Sequence, residues 1–316
     1  MEELDRAVET VIGRCLGVRS GEQVVVVVDE QTSSLGERLR AAAAQAGADA
    51  ALCVMDARAE HGQEPPAPVA AALAAADVFI APTTKSLSHT KARKAATDGG
   101  ARGATLPGVT SSMLARLMAC DFETLQRRSA ELARLLDGAD EARITCPRGT
   151  DLRLDLAGRA GIADDGDLTD ARAFGNLPCG EGFTSPLGAE GRMVTGCLAG
   201  IGLPLGEFPV LTIEDGNLVS ATEAEGERLL DALDAAGGQG RNVAELGIGT
   251  NERAELTGNI LEDEKILGTA HVAFGASAAI GGTVQVPVHL DCVVLKPDIS
   301  VDGEPLVRAG ELLVGG

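Results

Sequence analysis

The sequence predicts an α/β protein in two parts, an N-terminal α/β domain on a parallel sheet (residues 1–140) followed by a β-rich α+β domain (residues 141–316). Three observations carry this expectation. Apolar β-branched runs alternate with helix-period segments over the first 140 residues, as in a parallel sheet with helices on its faces. Past Gly138 short strand-like segments punctuated by Gly and Pro take over. Two of the four histidines stand among carboxylates in that second part.

Taken in order, Glu22 to Asp29 (EQVVVVVD) is a short apolar run suited to a strand buried on both faces. Leu35 to Ala46 reads as a helix and Ala50 to Met55 as a second strand. Pro66 to Ala76 is an Ala-rich helix, and Asp77 to Ala81 (DVFIA) a third strand. Thr90 to Asp98 is helical, Gly103 to Leu106 a fourth strand, and helices at Ser112 to Ala119 and Phe122 to Leu136 follow. From Ala142 to Asp155 two strands flank a turn at Pro147–Thr150. In the second half only Ala221 to Ala236 has the pattern of a long helix. The domain boundary falls near 138–142.

A chain of 316 residues can bury a substantial core, and 45% hydrophobic with 23% charged residues is ordinary for a globular protein. With six Phe and no Tyr or Trp, the core is built from Val, Leu, Ile and Ala, and no tyrosine is available as a catalytic acid. A net charge of -20 repels phosphate backbones, which argues against nucleic acid and anionic membranes as partners. Seven cysteines, at 15, 53, 120, 146, 179, 197 and 292, include no C-x-x-C pair. That speaks against a disulfide framework or zinc ribbon and for a reducing, cytoplasmic setting. The charged, helix-like start lacks the features of a signal peptide, and no stretch reads as a membrane span.

The candidate chemistry lies in the second part. In TVQVPVHLDCVVL, His289 and Asp291 are two apart on an expected strand and so face one way. An imidazole and a carboxylate side by side suit a divalent transition metal; a structural His–Asp hydrogen bond is the plainer alternative. His271, in ILGTAHVAFG, completes the two-histidine, one-carboxylate minimum for zinc or non-haem iron, or is a core histidine. Glu181 lies between glycines in NLPCGEGFTSP, Glu245 ends a strand in NVAELGIGTN, and Glu264 precedes His271 by seven residues. Any of these acids could simply be exposed, but carboxylates that bridge two cations are how a protein holds a two-metal site. His61 sits in a polar, Pro-rich loop. His89 follows the third strand, at the strand end where α/β sheets place ligand-binding groups, or merely begins a helix. There is no H-E-x-x-H, P-loop, G-x-G-x-x-G or G-x-S-x-G motif. Cys179, beside Glu181, has no histidine near it in sequence and reads as packing.

Together KSLSHTKARKAA, GARGATLPGVT, NLPCGEGFTSP, AELGIGTN, DEKILGTAH and VHLD, spread from about residue 80 to 292, resemble the aminopeptidase T family of two-metal peptidases, which includes the PepS and AmpS enzymes. The resemblance implies an N-terminal α/β domain, a C-terminal metal domain and a homodimer. It implies two divalent ions (zinc, cobalt or manganese) held by Glu181, Glu245, Glu264, His271, His289 and Asp291, with Glu181 or Glu245 as the base that activates water against a peptide or small amide. Where that family has a tyrosine after the first metal histidine, this chain reads HVAFGASAA, leaving His89, a metal or backbone N–H groups to stabilise the oxyanion. The chain is also shorter than those peptidases.

The same motifs resemble 2,5-dihydroxypyridine 5,6-dioxygenase, which implies one Fe(II) held by His271, His289 and Asp291, with Glu181 and His89 as acid/base groups. Because one iron does not need Glu245 and Glu264, the expectation is the aminopeptidase-type hydrolase, with the ring-cleaving dioxygenase as the alternative. A binding protein on the same scaffold is a third class, which the intact ligand set disfavours.

Overall fold

The computed structural model describes residues 2–315. Its Cα packing divides into two units, Met1–Cys120 with Gly166–Cys179, and Asp121–Asp165 with Gly180–Gly316.

The first unit carries the expected parallel sheet. Strands β1 (Gln23–Val28), β2 (Asp49–Val54), β3 (Val78–Ala81) and β4 (Arg102–Thr105) run parallel. A fifth strand, β8 (Phe174–Asn176), returns from later in the chain to pair with β4, giving the order β2-β1-β3-β4-β8. The valine run of β1 is buried from Val24 to Val28, as a central strand requires. β2 is an edge strand and is partly exposed.

Among the described residues its α-helices are α1 (Glu2–Glu9), α2 (Ser33–Gln45), α3 (Ala67–Ala75), α4 (Lys91–Asp98) and α5 (Ser111–Leu117). Caps set their starts. The Thr90 and Thr110 hydroxyls accept from the N–H groups of Arg93 and Met113, satisfying first-turn donors of α4 and α5. His89, just before the Thr90 cap, is exposed. His61 is exposed and accepts a hydrogen bond from the Ser86 N–H at 3.2 Å.

The second unit is β-rich. Helix α6 (Phe122–Leu136) leads into β5 (Glu141–Thr145), β6 (Asp151–Asp155) and β7 (Ile162–Asp164). Then come β9 (Glu181–Thr184), β10 (Gly188–Val194), β11 (Cys197–Leu198), β12 (Val210–Glu214), β13 (Asn217–Ala221) and helix α7 (Glu223–Ala235). The unit closes with β14 (Val243–Gly249), α8 (Ile260–Asp263), β15 (Ala270–Gly275), β16 (His289–Val294), β17 (Asp298–Val301), β18 (Glu304–Arg308) and β19 (Glu311–Leu312). They form two sheets, β13-β12-β10-β6-β5-β17-β18-β19 and β11-β16-β15-β14-β9-β7. All pairings within both sheets are antiparallel.

Helix α6 packs on β9 and β7. A sequence boundary at 138–142 groups it with the first domain, because helical period shows that a helix has an apolar face without showing what covers that face.

One apolar core serves both sheets of this unit. Leu152, Leu154, Leu211 and Ile213 of the larger sheet share it with Leu246, Ile248, Val272, Phe274, Cys292 and Val294 of the smaller. Strand alternation turns the intervening residues of β14, β15 and β16 to the opposite face of the smaller sheet. Glu245, Gly247, His271, Ala273, His289 and Asp291 occupy that face. None of the seven cysteines is in a disulfide. Among the described residues no helix is long and apolar enough to cross a membrane.

Candidate metal centre

The register of the smaller sheet brings distant carboxylates and imidazoles together. Asp164 on β7 pairs with Glu181 on β9. Gly247 on β14 pairs with both Phe183 and His271. Glu245 pairs with Ala273, which pairs with Asp291, and Gly275 pairs with His289. Cross-strand partners share a face, so side chains 127 positions apart in sequence (164 to 291) line one surface.

At its centre is Glu245, with a histidine on each oxygen. Oε1 is 3.5 Å from His271 Nε2 and Oε2 is 3.2 Å from His289 Nε2. Asp291 Oδ1 lies 3.5 Å from the same His289 nitrogen. Glu181, Glu245 and His271 thus form one group of donor atoms within 4.8 Å of one another, and Glu245, His289 and Asp291 a second. The groups share Glu245. Glu264, expected as a further ligand, is in neither, and His89 belongs to the other unit.

The chemistry of these atoms fits a metal. His289 Nδ1 is 2.7 Å from the Ala276 carbonyl oxygen, which can only accept, so Nδ1 carries the proton. In the neutral ring Nε2 then keeps its lone pair and faces the carboxylates, the orientation metal-binding histidines take from their outer partner. Glu181 Oε2 is buried 2.9 Å from His271 Nε2 and closes no hydrogen bond. An orphaned buried carboxylate oxygen turned toward an imidazole nitrogen is a position for a proton or a cation.

Sequence reading missed three residues here. Lys265 is 1% exposed, and its Nζ lies 2.5 Å from Glu181 Oε1, 3.0 Å from Glu264 Oε1 and 3.1 Å from Asp164 Oδ2. Asp164 is hidden in sequence within the acidic run ADDGD. Gly247 makes room for His271, since a β-carbon there would stand 2.1 Å from His271 Nε2. A lysine following Glu264 and a glycine two residues after Glu245 were the available signals, but neither shows convergence by itself.

Electrostatics follow from burial and crowding. Burial raises Asp164 to about 7 and Glu264 to about 8, against the pull of Lys265. Burial disfavours charge on Lys265, but Glu181, Glu264 and Asp164 outweigh it and hold the ammonium charged. Burial likewise opposes charge on the imidazoles; Glu181 beside His271, and Asp291 beside His289, raise both well above the usual imidazole value. Burial pushes Glu245 and Asp291 up, yet the imidazoles facing them bring both below the ordinary carboxylate range.

A one-sided array of buried imidazoles and carboxylates on a two-unit α/β and β-rich scaffold defines a candidate metal-dependent enzyme. The family model of 2,5-dihydroxypyridine 5,6-dioxygenase (NicX) matches residues 3–314, and the chain belongs to that family. The solved structure of 2,5-dihydroxypyridine dioxygenase from Pseudomonas putida KT2440 superposes with a TM-score of 0.83 at 21% identity, covering 98% of this chain and 97% of that one. Wild-type AmpT from Thermus thermophilus superposes with a TM-score of 0.73 at 20% identity, covering 99% of each chain. No curated protein sequence matches. At these identities the two structures establish a shared fold, and the family rests on the family match.

The aminopeptidase-type hydrolase expected from sequence, with its metalloprotease character, is corrected by that match: the family is that of the dioxygenase. The sequence preference rested on Glu245 and Glu264 as more carboxylates than one iron needs; in the structure Glu245 is shared by both donor groups and the Glu264 carboxylate pairs with Lys265.

Proposed function

We propose that this chain is an iron(II)-dependent ring-cleaving dioxygenase acting on a hydroxylated nitrogen heteroaromatic ring, a dihydroxypyridine or a close analogue. The observation that carries this reading is the family match across residues 3–314. The donor types support it, the two imidazoles meeting across Glu245. His271, His289 and Asp291 would hold one Fe(II), the two-histidine, one-carboxylate set of non-haem iron oxygenases. When bound, iron(II) supplies open positions and one-electron chemistry that let ground-state O₂ react with a closed-shell ring.

The chain's own residues do the rest. The Ala276 carbonyl fixes the His289 ring, and Gly247 makes room for His271 Nε2. Glu245 spans the two imidazoles. Glu181 offers Oε2 as the acceptor for a substrate proton, its other oxygen being held by Lys265. Burial of Glu181, Glu245 and His271 keeps bulk water from these groups. Seven cysteines outside any disulfide are in keeping with a reducing, cytoplasmic setting.

A dioxygenase puts both atoms of O₂ into the product, so the ring supplies all the electrons and no reductant is needed. The test is oxygen uptake by anaerobically purified, Fe(II)-loaded protein given 2,5-dihydroxypyridine and its isomers. Equimolar loss of O₂ and of ring absorbance without added reductant is expected. Iron-loaded protein that consumes no O₂ with any hydroxypyridine would overturn the reading.

A further inference from the structure

We propose that the Lys265 ammonium stands in for a second metal ion, so that a scaffold with carboxylates enough for two cations holds one metal and one built-in organic cation. The inference rests on the single-metal reading above and concerns what that reading leaves unexplained: Asp164, Glu181 and Glu264 converge on Lys265, with Glu181 also facing His271, without being needed to bind one ion.

The geometry around Lys265 is that of a cation site. Its Nζ is surrounded by carboxylates from three places, Asp164 at the end of β7, Glu181 at the start of β9 and Glu264 just after α8. An ammonium has three N–H donors, and each of these oxygens is near enough to accept one. The lysine backbone is fixed as well. Its N–H donates to the Glu262 carbonyl at 2.9 Å, and its carbonyl accepts from the Asn251 N–H at 2.9 Å. A charge this deeply buried persists only where partners replace its water.

Glu181 joins the two halves. One oxygen lies against the ammonium and the other faces His271 Nε2 at 2.9 Å. A carboxylate with one oxygen toward each of two cations is the signature of a two-metal centre. Here one of those cations is covalently part of the chain. An ammonium cannot polarise a bound water as a divalent ion does, so the arrangement keeps a cation in the second position, with one positive charge in place of two, while removing one of the Lewis acids.

Metal stoichiometry tests this on the full-length protein, by equilibrium dialysis against Fe(II) under anaerobic conditions and separately against Co(II), with metal counted by plasma mass spectrometry. Wild-type protein and Lys265→Arg are expected to hold one tight ion per chain. Lys265→Met, which removes the charge and keeps the bulk, is expected to hold two. Two ions in the wild type, or one in a folded Lys265→Met protein, overturns the proposal. Should Lys265→Met not fold, Glu264→Gln decides. If Glu264 serves the ammonium, metal affinity stays within about twofold, whereas a ligand or its close support would cost about tenfold or more, and such a loss refutes the idea. Failure of the iron reading itself is distinct: the wild type would then bind no Fe(II), or bind it and consume no O₂.

Discussion

Gly247 and His271 lie opposite each other on β14 and β15, and a β-carbon on Gly247 would come within 2.1 Å of His271 Nε2. The glycine is there for space. Gly247→Ala should push the imidazole out of line and weaken metal binding by about 10–100-fold, as perturbing the support of a ligand does. Competition with a chromophoric chelator measures this, with circular dichroism to show an intact fold. Unchanged affinity would mean that His271 is not a ligand.

The His289 ring is set by the Ala276 carbonyl and shares Glu245 and Asp291. A metal at a hundredfold excess over its Kd adds about 2.7 kcal/mol to folding stability. His289→Ala should abolish that increment, seen as a thermal midpoint that no longer rises on adding Fe(II). A midpoint that rises as much as in the wild type would remove His289 from the site.

Protonation sets the pH dependence of that increment. In protein stripped of metal, His271 and His289 titrate well above the usual imidazole value, Asp164 at about 7 and Glu264 at about 8. All four hold protons more tightly folded than unfolded. Their stabilisation is therefore complete below the unfolded values and lost as pH rises through the folded ones. Glu245 and Asp291 are lowered, so their contribution is lost only in acid. Metal needs its histidines unprotonated. The midpoint difference between iron-loaded and chelator-treated protein should therefore widen from about pH 6 to about pH 8. A difference that narrows over this range contradicts the protonation scheme.

Leu246, fully buried on the core side of β14, offers a contrast. Leu246→Ala should cost about 2–5 kcal/mol in denaturant unfolding while leaving metal affinity of the folded protein near that of the wild type. Equal losses in stability and affinity would show that the two faces of the strand are coupled.

Much of the fold is legible in the sequence because its signals are local. The valine run of β1 and the alternation through β4 specify a parallel sheet, and H-x-D spacing places His289 and Asp291 on one side of β16. What was not legible depends on register between distant strands. Nothing near Phe174 announces that β8 completes the first sheet, and nothing near Lys265 announces Asp164 and Glu181 as its partners. The functional expectation failed for the same reason. Acidic residues next to metal-binding motifs look like ligands until the cation that occupies them is found.

In β14, β15 and β16 the residues that build the core and those that face the site alternate one by one. Two messages are thus interleaved along one thread, and each can be edited without garbling the other: drift among the leucines and valines leaves the chemistry alone, and new reactivity can be explored from a settled frame. The arrangement tolerates substitution but not a shift in reading. Deleting one residue just before His271 would turn His271 toward the leucines and Val272 toward the carboxylates, erasing both messages in one step.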